Sequence, residues 1–374
     1  MRVCYFGTYE KDYPRNHVLI DGLKKEGVDV VECHFPLWEK EEHKTRLSIL
    51  GKIKIAAMMP YAYFSLMLKL RKLMKKKDVD CIIVGYIGQI DMFFARLFAL
   101  KEKIIFNPMI SLYDTLVNDR KLIKNSLLKK IIHYFEKKSC SLADLVVLDT
   151  EEHANYFKNQ FNIKKTGVLY IGADKIFKPM KKTKRDKHIE VLYYGKYTPL
   201  QGTRYVIESA KLLEKHKEIY FEIVGIGQTY EEDLAFARKI GVKNIKFTRW
   251  VDYKKLPKKI AEADICLGGH FGKGKKALRV VPNKVFQMIA MAKPVVVNGG
   301  PAMKNAGFKH NVNCLFADIA DPKSIAKAVV ALENDGGLRK KIGDEAYGLY
   351  KKRFSEAEIA KKLIKHIKSI GKEI

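Results

Sequence analysis

No two of the six cysteines (Cys4, Cys33, Cys81, Cys140, Cys266, Cys314) form a C-x-x-C pair, and most of them lie inside apolar runs. That scatter argues against a disulfide framework and a zinc site and predicts reduced, buried thiols. No Walker A sequence occurs, and the first strand leaves through FGTYEKDYP without a G-x-G-x-x-G turn. Neither a P-loop nor a nicotinamide-dinucleotide fingerprint is therefore present. The uncharged run IAAMMPYAYFSLML, from Ile55 to Leu68, is too short to span a bilayer and contains Pro60. Acid is missing there too: no Asp or Glu occurs between Glu42 and Asp78. The start, MRVCYFGTYE, moves directly into a strand pattern, so no signal peptide is expected.

What the chain does have is positive charge. The formal balance is +29, and both halves are basic. Self-repulsion of that size calls for an anionic partner or a well solvated surface. Lys52, Lys54, Lys69, Arg71, Lys72, Lys75, Lys76 and Lys77 flank the uncharged run. Apolar and aromatic residues beside lysines suit an interfacial segment on anionic lipid, because apolar burial and charge attraction add. A core helix with a solvated basic end fits the same residues. Nucleic acid is not the expected partner, since no recognised binding motif accompanies the charge.

At 374 residues the chain is too long for one ordinary core and suits two domains. Strand-like and helix-like segments alternate along nearly all of it, which predicts α/β architecture with two doubly wound, Rossmann-like domains. The expected strands begin at Arg2, Val28, Cys81, Lys103, Leu145 and Gly167 in the first half. In the second they fall at IEVLYYGKY, Tyr220, Ile245, Ile265, Pro294 and Cys314. Helices are expected at Arg15–Glu26 and Lys121–Ser141, among others. The division reads as residues 1–175, a linker at 176–188 where proline and charge break the pattern, a second domain at 189–352, and a basic amphipathic helix at 353–374. Whether that last helix stays with the second domain or crosses back to the first is not written in its own pattern.

Ligands of open parallel sheets sit where strands give way to helices. In GKYTPLQGTRYVIESA, Gly195 permits a sharp turn, Lys196 is a cation at the strand end, and Gly202 opens a helix whose amides can receive an anion. In EIVGIGQTY, Gly225 and Gly227 form a lone G-x-G that tight-turn geometry also explains. The third corner is RVVPNKVFQMIAMAKPVVV. Asn283 reads as an N-cap, Lys284 falls in the first turn, and Gln287 lies one turn in. Met288, Ile289 and Ala292 read as the buried stripe. Arg279 precedes this helix and the basic loop GGHFGKGKKAL precedes Arg279, which together favour a diphosphate.

The order of these segments resembles the family-4, or group 1, glycosyltransferases of the GT-B fold over nearly the full length. ISLYDTLVNDR and LADLVVLDTEEHANYF look like one bacterial and archaeal branch of that family. VLYIGADKIFKP, with Gly172, Asp174, Phe177 and Pro179, is similar to its exit from the first domain. The resemblance implies a nucleotide-diphosphate sugar held mainly by the second domain, a lipid-linked or saccharide acceptor on the first, and neither metal nor cofactor. It places Lys196 where a phosphate-binding cation is common, and Arg279, Asn283, Lys284 and Val285 around the donor. Arg279 and Gln287 then stand at the two positions of the family's E-x7-E pair, and Gln201 stands where a second donor lysine is common. A glutamine can bridge ribose hydroxyls but cannot act as a base. Asp114 is the candidate cleft carboxylate of the first domain, with Asp119 and Arg120 behind it, although a helix-capping role suits it equally. Gly7, at the end of the first strand, joins Gly195, Gln201, Gly225 and Gly227 among the candidate substrate-binding residues. His153 reads as a surface helix residue rather than a base. The function implied is transfer of a hexose, with retention, to a lipid-linked or envelope-polymer acceptor at the cytoplasmic face of a membrane. A binding protein weakened in catalysis and a sugar-nucleotide epimerase are the alternatives.

Overall fold

The computed structural model describes residues 1–11, 13–39, 49–75, 78–99, 101–183 and 188–371, without the side chain of residue 52. Lys76, Lys77 and part of the expected linker lie outside them. In chain order the first elements are β1 (Arg2–Gly7), α1 (Pro14–Lys25), β2 (Asp29–His34), α2 (Ile49–Lys75), β3 (Cys81–Val84), α3 (Asp91–Phe98), β4 (Lys103–Phe106), α4 (Ser126–Ser141), β5 (Leu145–Leu148), α5 (Glu151–Phe161) and β6 (Thr166–Val168). There follow β7 (Ile189–Tyr194), α6 (Thr203–Leu212), β8 (Ile219–Val224), α7 (Tyr230–Ile240), β9 (Ile245–Thr248), α8 (Leu256–Glu262), β10 (Ile265–Gly269), α9 (Asn283–Ala290), β11 (Val295–Asn298), α10 (Pro301–Asn305), β12 (Leu315–Ala317), α11 (Pro322–Asn334), α12 (Gly336–Arg353) and α13 (Glu356–Gly371).

The chain divides into two units. One comprises Met1–Asp149, His153–Ile171 and Glu356–Ile374; the other comprises Thr150–Glu152 and Gly172–Ser355. Each is built on a six-stranded parallel sheet, so the α/β class with two doubly wound, Rossmann-like domains expected from the alternation is the class observed.

The first sheet has the order β2-β1-β3-β4-β5-β6. Cys81–Val84 is fully buried, as a central parallel strand covered on both faces requires, which is why it reads as an unbroken apolar run. Right-handed crossovers put α1 on one face and α2 to α5 on the other. α13 packs with α1, where a Cβ on Gly22 would come within 3.0 Å of the Ala360 methyl. Its His366 donates from Nε2 to the Val168 carbonyl, 3.0 Å away.

The second sheet runs β12-β11-β10-β7-β8-β9. β8 and β10 flank β7, whose Val191 and Leu192 are fully buried. α9 is buried all around from Lys284 to Ala290, not along one stripe, and it ends at Met291. Ala292 therefore lies beyond the helix, with φ +55°. The segment expected as one helix from Lys121 begins instead at Ser126, because the Asn125 side chain accepts the Leu128 N–H at 3.0 Å and caps it there. A π-helical turn occupies Asp114–Asp119 ahead of it.

Candidate functional site

In the second unit the chain leaves β7 toward β8 and β9, then returns to β10 and continues to β11 and β12 on the other side. The strand order therefore reverses between β7 and β10, the place where open α/β sheets bind ligands. Lys284, in the first turn of α9, reaches that place. A Cβ on Gly195, just past β7, would stand 3.6 Å from the Lys284 Nζ, and one on Gly269, the last residue of β10, 3.5 Å. Both distances are ordinary van der Waals contact, and it is the positive φ of the two residues, +148° and +69°, that favours glycine there.

Lys284 donates to the Gln201 Oε1 at 2.7 Å and lies 3.6 Å from the centre of the Tyr193 ring. It is 6% exposed, and among the described residues no carboxylate pairs with it. Burial accordingly pushes its pKa well below the ordinary lysine value. Tyr193 holds the loop in place by donating to the Gln201 carbonyl at 2.6 Å. The second glycine corner is packed against the first, since a Cβ on Gly225 would fall 1.9 Å from the Gly195 carbonyl oxygen. Gly227 lies against the Tyr197 backbone in the same way. A desolvated cation beside two tight backbone turns and a helix N-terminus is a cradle for an anion.

Other expected residues take different places. Asn283 is not the N-cap: Pro282 occupies that position with φ −60° and ψ 135°, and Asn283 is the first helical residue. The ring of Pro282 fixes the extended entry, so the chain turns helical one residue earlier than the side-chain pattern suggests. The Asn283 Oδ1 is buried and accepts no hydrogen bond. Val285 is fully buried with its side chain against Gly268, so only its backbone belongs to the helix mouth. Gln287 is 4% exposed, and its Oε1 accepts the Tyr194 hydroxyl at 2.8 Å. Lys196 is exposed just past β7, and Arg279 is half-buried after the 3-10 turn Lys275–Leu278.

The sequence pattern missed His270, which follows β10 in GGHFG. Its ring is buried with Nδ1 unpartnered, and burial, then Lys284 and Lys276, hold its pKa well below the usual value. A polar residue between two glycines at a strand exit was the available clue.

In the first unit the strand order reverses between β1 and β3. There Asp91, at the first turn of α3, accepts the Thr8 N–H at 2.9 Å and the Tyr63 hydroxyl at 2.8 Å. A Cβ on Gly7, whose φ is +134°, would meet its Oδ2 at 2.2 Å, so Gly7 serves the close approach of Asp91. Burial lifts the Asp91 pKa to about 6, against the lowering effect of these donors.

Asp114 is 2% exposed and accepts the Asn118 amide at 3.1 Å from the first position of the π-helical turn, so it does not cap a helix. The loop before it is fastened by Glu136 on α4. That buried carboxylate accepts the Ser111 hydroxyl at 2.7 Å, the Leu112 N–H at 2.7 Å and the Tyr113 N–H at 2.9 Å. His153 is the clearest departure. It is 2% exposed, with Nδ1 2.6 Å from the Asp149 carboxylate, rather than on the surface. The residue faces the sheet because Ala154 and Phe157 of the same helix are core residues.

Residues 188–335 match the sequence model of the glycosyl transferases group 1. No curated protein matches the chain. Among solved structures, sucrose-phosphate synthase from Thermosynechococcus elongatus superposes with a TM-score of 0.73 at 11% identity, covering 99% of this chain and 98% of that one. Anabaena HepE in complex with UDP-glucose gives a TM-score of 0.68 at 15% identity, over 99% and 100%. A glycosyltransferase from Rickettsia africae gives 0.66 at 14%, over 100% and 99%. The family match over the second half and the shared fold over the whole length bear out the resemblance to group 1 glycosyltransferases of the GT-B fold.

Proposed function

We propose that this chain, group 1 in its second half and GT-B in its frame, transfers a hexose from a nucleotide-diphosphate sugar to a lipid-linked or envelope-polymer acceptor, with retention. The observation that carries the reading is Lys284: a lysine buried at the strand reversal without a carboxylate partner among the described residues is stabilised by an anion. HepE, of the same fold, is described in complex with UDP and with UDP-glucose, which supports a nucleotide sugar as the ligand.

In this reading Lys284 and the α9 amides receive the diphosphate, with Lys196 and Arg279 as further cations and the backbone at Gly195, Gly225 and Gly227 giving close approach. Charge grows on the leaving diphosphate as the glycosidic bond breaks, and pre-placed donors stabilise that charge more than the ground state. Gln201 orients Lys284, and Asn283 and Gln287 face the sugar or ribose side. Asp114 orients or deprotonates the acceptor hydroxyl. No metal or cofactor enters. The acid-free basic segment holds the protein on the inner face of an anionic membrane, and among the described residues no helix is long and apolar enough to cross one.

The test is a thermal-shift screen of nucleotide sugars, followed by an assay of nucleoside diphosphate released with host membranes. A bound donor raises Tm by mass action. Absence of both stabilisation and release removes the proposal. Gln287 favours one second reading, since its Oε1 is engaged by Tyr194. A binding protein without turnover would show the Tm shift and no release in the same pair of assays.

A further inference from the structure

Outside the donor site, the largest unexplained feature of the first unit is an apolar surface on three neighbouring helices. On α2, Ile53, Tyr61, Phe64 and Leu68 are 59%, 68%, 57% and 53% exposed, and they recur at helical spacing on one side. On α4, Leu127, Ile131 and Tyr134 are 65%, 54% and 66% exposed at i, i+4 and i+7. α3 lies between them, joined to α2 by the Tyr63–Phe94 stack at 4.1 Å and to α4 by the Phe93–Phe135 stack at 5.5 Å. Its Leu97 is 61% exposed. An apolar groove of about 360 Å³ opens between α2 and α3, lined by Met59, Pro60, Tyr63, Phe64, Met67 and Phe94 among others.

The charge around this surface has one sign. α2 lies within the segment from Glu42 to Asp78 that has no acid between its ends. On α4 the single acid is Glu136, which is fully buried, while Lys130, Lys137 and Lys138 are exposed. α3 carries one acid as well, Asp91, also buried. Every carboxylate of the three helices is thus turned into the core.

We infer that α4 is a second docking element for an anionic bilayer, acting with α2 so that the lipid surface is gripped by two basic, apolar helices and not by the α2 segment alone. The inference rests on the peripheral-membrane reading above and deepens it. Aliphatic residues enter the acyl boundary, Tyr61 and Tyr134 sit at headgroup level, and the lysines meet lipid phosphate. A solvated protein partner would not require every acid to be withdrawn from three helices, whereas a uniformly anionic surface would.

The test is co-sedimentation of the full chain with vesicles of equal parts phosphatidylglycerol and phosphatidylcholine, beside pure phosphatidylcholine, at low and high salt. Wild type binds the anionic vesicles and is released by salt. Neutralising Lys130→Gln, Lys137→Gln and Lys138→Gln weakens binding by roughly five-fold for each lysine, and Leu127→Ser with Ile131→Ser weakens it further. All five side chains are exposed, so these variants keep the Tm and the donor-induced Tm shift of wild type, which checks folding. Wild-type binding by the α4 variants, alongside loss in Lys69→Gln with Lys72→Gln, overturns the role of α4 and leaves the membrane reading standing. No binding by wild type to either vesicle removes the membrane reading itself. A change in oligomeric state on altering α4, without a change in vesicle binding, assigns the face to a second copy of the chain and overturns the inference.

Discussion

The Lys284 ammonium stands 2.7 Å from the Gln201 side-chain oxygen, and among the described residues no carboxylate joins the pair. A neutral acceptor satisfies one of its three N–H donors without cancelling its charge. The site is thereby kept costly when empty and favourable when an anion enters.

Replacing that lysine separates stability from binding. Lys284→Met fills a similar volume and relieves the desolvation that pushes the lysine pKa down. The expected outcome is a Tm equal to or above wild type without ligand, and loss of the nucleotide-sugar Tm shift. Calorimetric affinity for the nucleoside diphosphate falls about 10- to 100-fold, the worth of a hydrogen bond to a charged group.

Gln287 tests the second reading. Its oxygen is the acceptor for Tyr194, whose own pKa burial drives well up, so the tyrosine is a donor throughout the accessible pH range. Gln287→Glu keeps an acceptor there, and Gln287→Leu does not. The leucine variant leaves the buried Tyr194 hydroxyl only the long 3.4 Å contact with the Lys284 carbonyl and loses about 1–3 kcal/mol of stability, read by denaturant unfolding. The glutamate variant folds, and a rise in its kcat for nucleoside diphosphate release identifies a carboxylate role that this chain has given up.

Much of this frame is written in the sequence. Runs such as Cys81–Val84 and Val295–Asn298 are apolar because parallel strands are covered on both faces, and their spacing with helices gave two Rossmann-like sheets. The corners at Gly195 and Lys284 were legible for the same reason, since ligand sites follow strand ends. Contacts between distant segments were not. Asp91 is one of several acids in the first half, and nothing local says that Thr8, 83 positions away, donates to it. His153 looked like a surface residue because its helix neighbours Glu151, Glu152 and Lys158 are polar. Its side chain goes inward with Ala154 and Phe157, the core residues of the same helix, and meets Asp149 at the exit of β5.

Asp91 predicts a pH signature. Its pKa is about 6 in the folded protein against the ordinary 3.8, so the folded state binds the extra proton between these values. The sign follows: this group's contribution favours folding most below about 3.8 and is lost as pH rises through about 6. Relative to Asp91→Asn, which carries no charge at any pH, wild type should gain stability as pH falls from 7 to 4, on the order of 2–3 kcal/mol. A gap between the two unfolding curves that does not change with pH contradicts the assignment.

Glu136 gives the prediction that bears on the acceptor side. Its two oxygens receive three donors from Ser111, Leu112 and Tyr113, the residues that lead directly into Asp114. A glutamine can offer only one oxygen to that group and turns an N–H₂ toward donors, so Glu136→Gln unfastens the loop while preserving volume. Glu136 touches no ligand in this reading and acts by positioning Asp114. The variant should therefore keep the donor Tm shift, which belongs to the second unit, while the KM for acceptor rises and kcat falls about 10-fold or more. Glu136→Asp, which keeps the charge on a shorter arm, should recover part of the loss. A variant that loses global stability with KM and kcat unchanged would make Glu136 a structural carboxylate only. Asp114→Asn, by contrast, should lower kcat while the donor Tm shift is kept, because it removes the charge but preserves the volume and an oxygen that can accept the Asn118 amide.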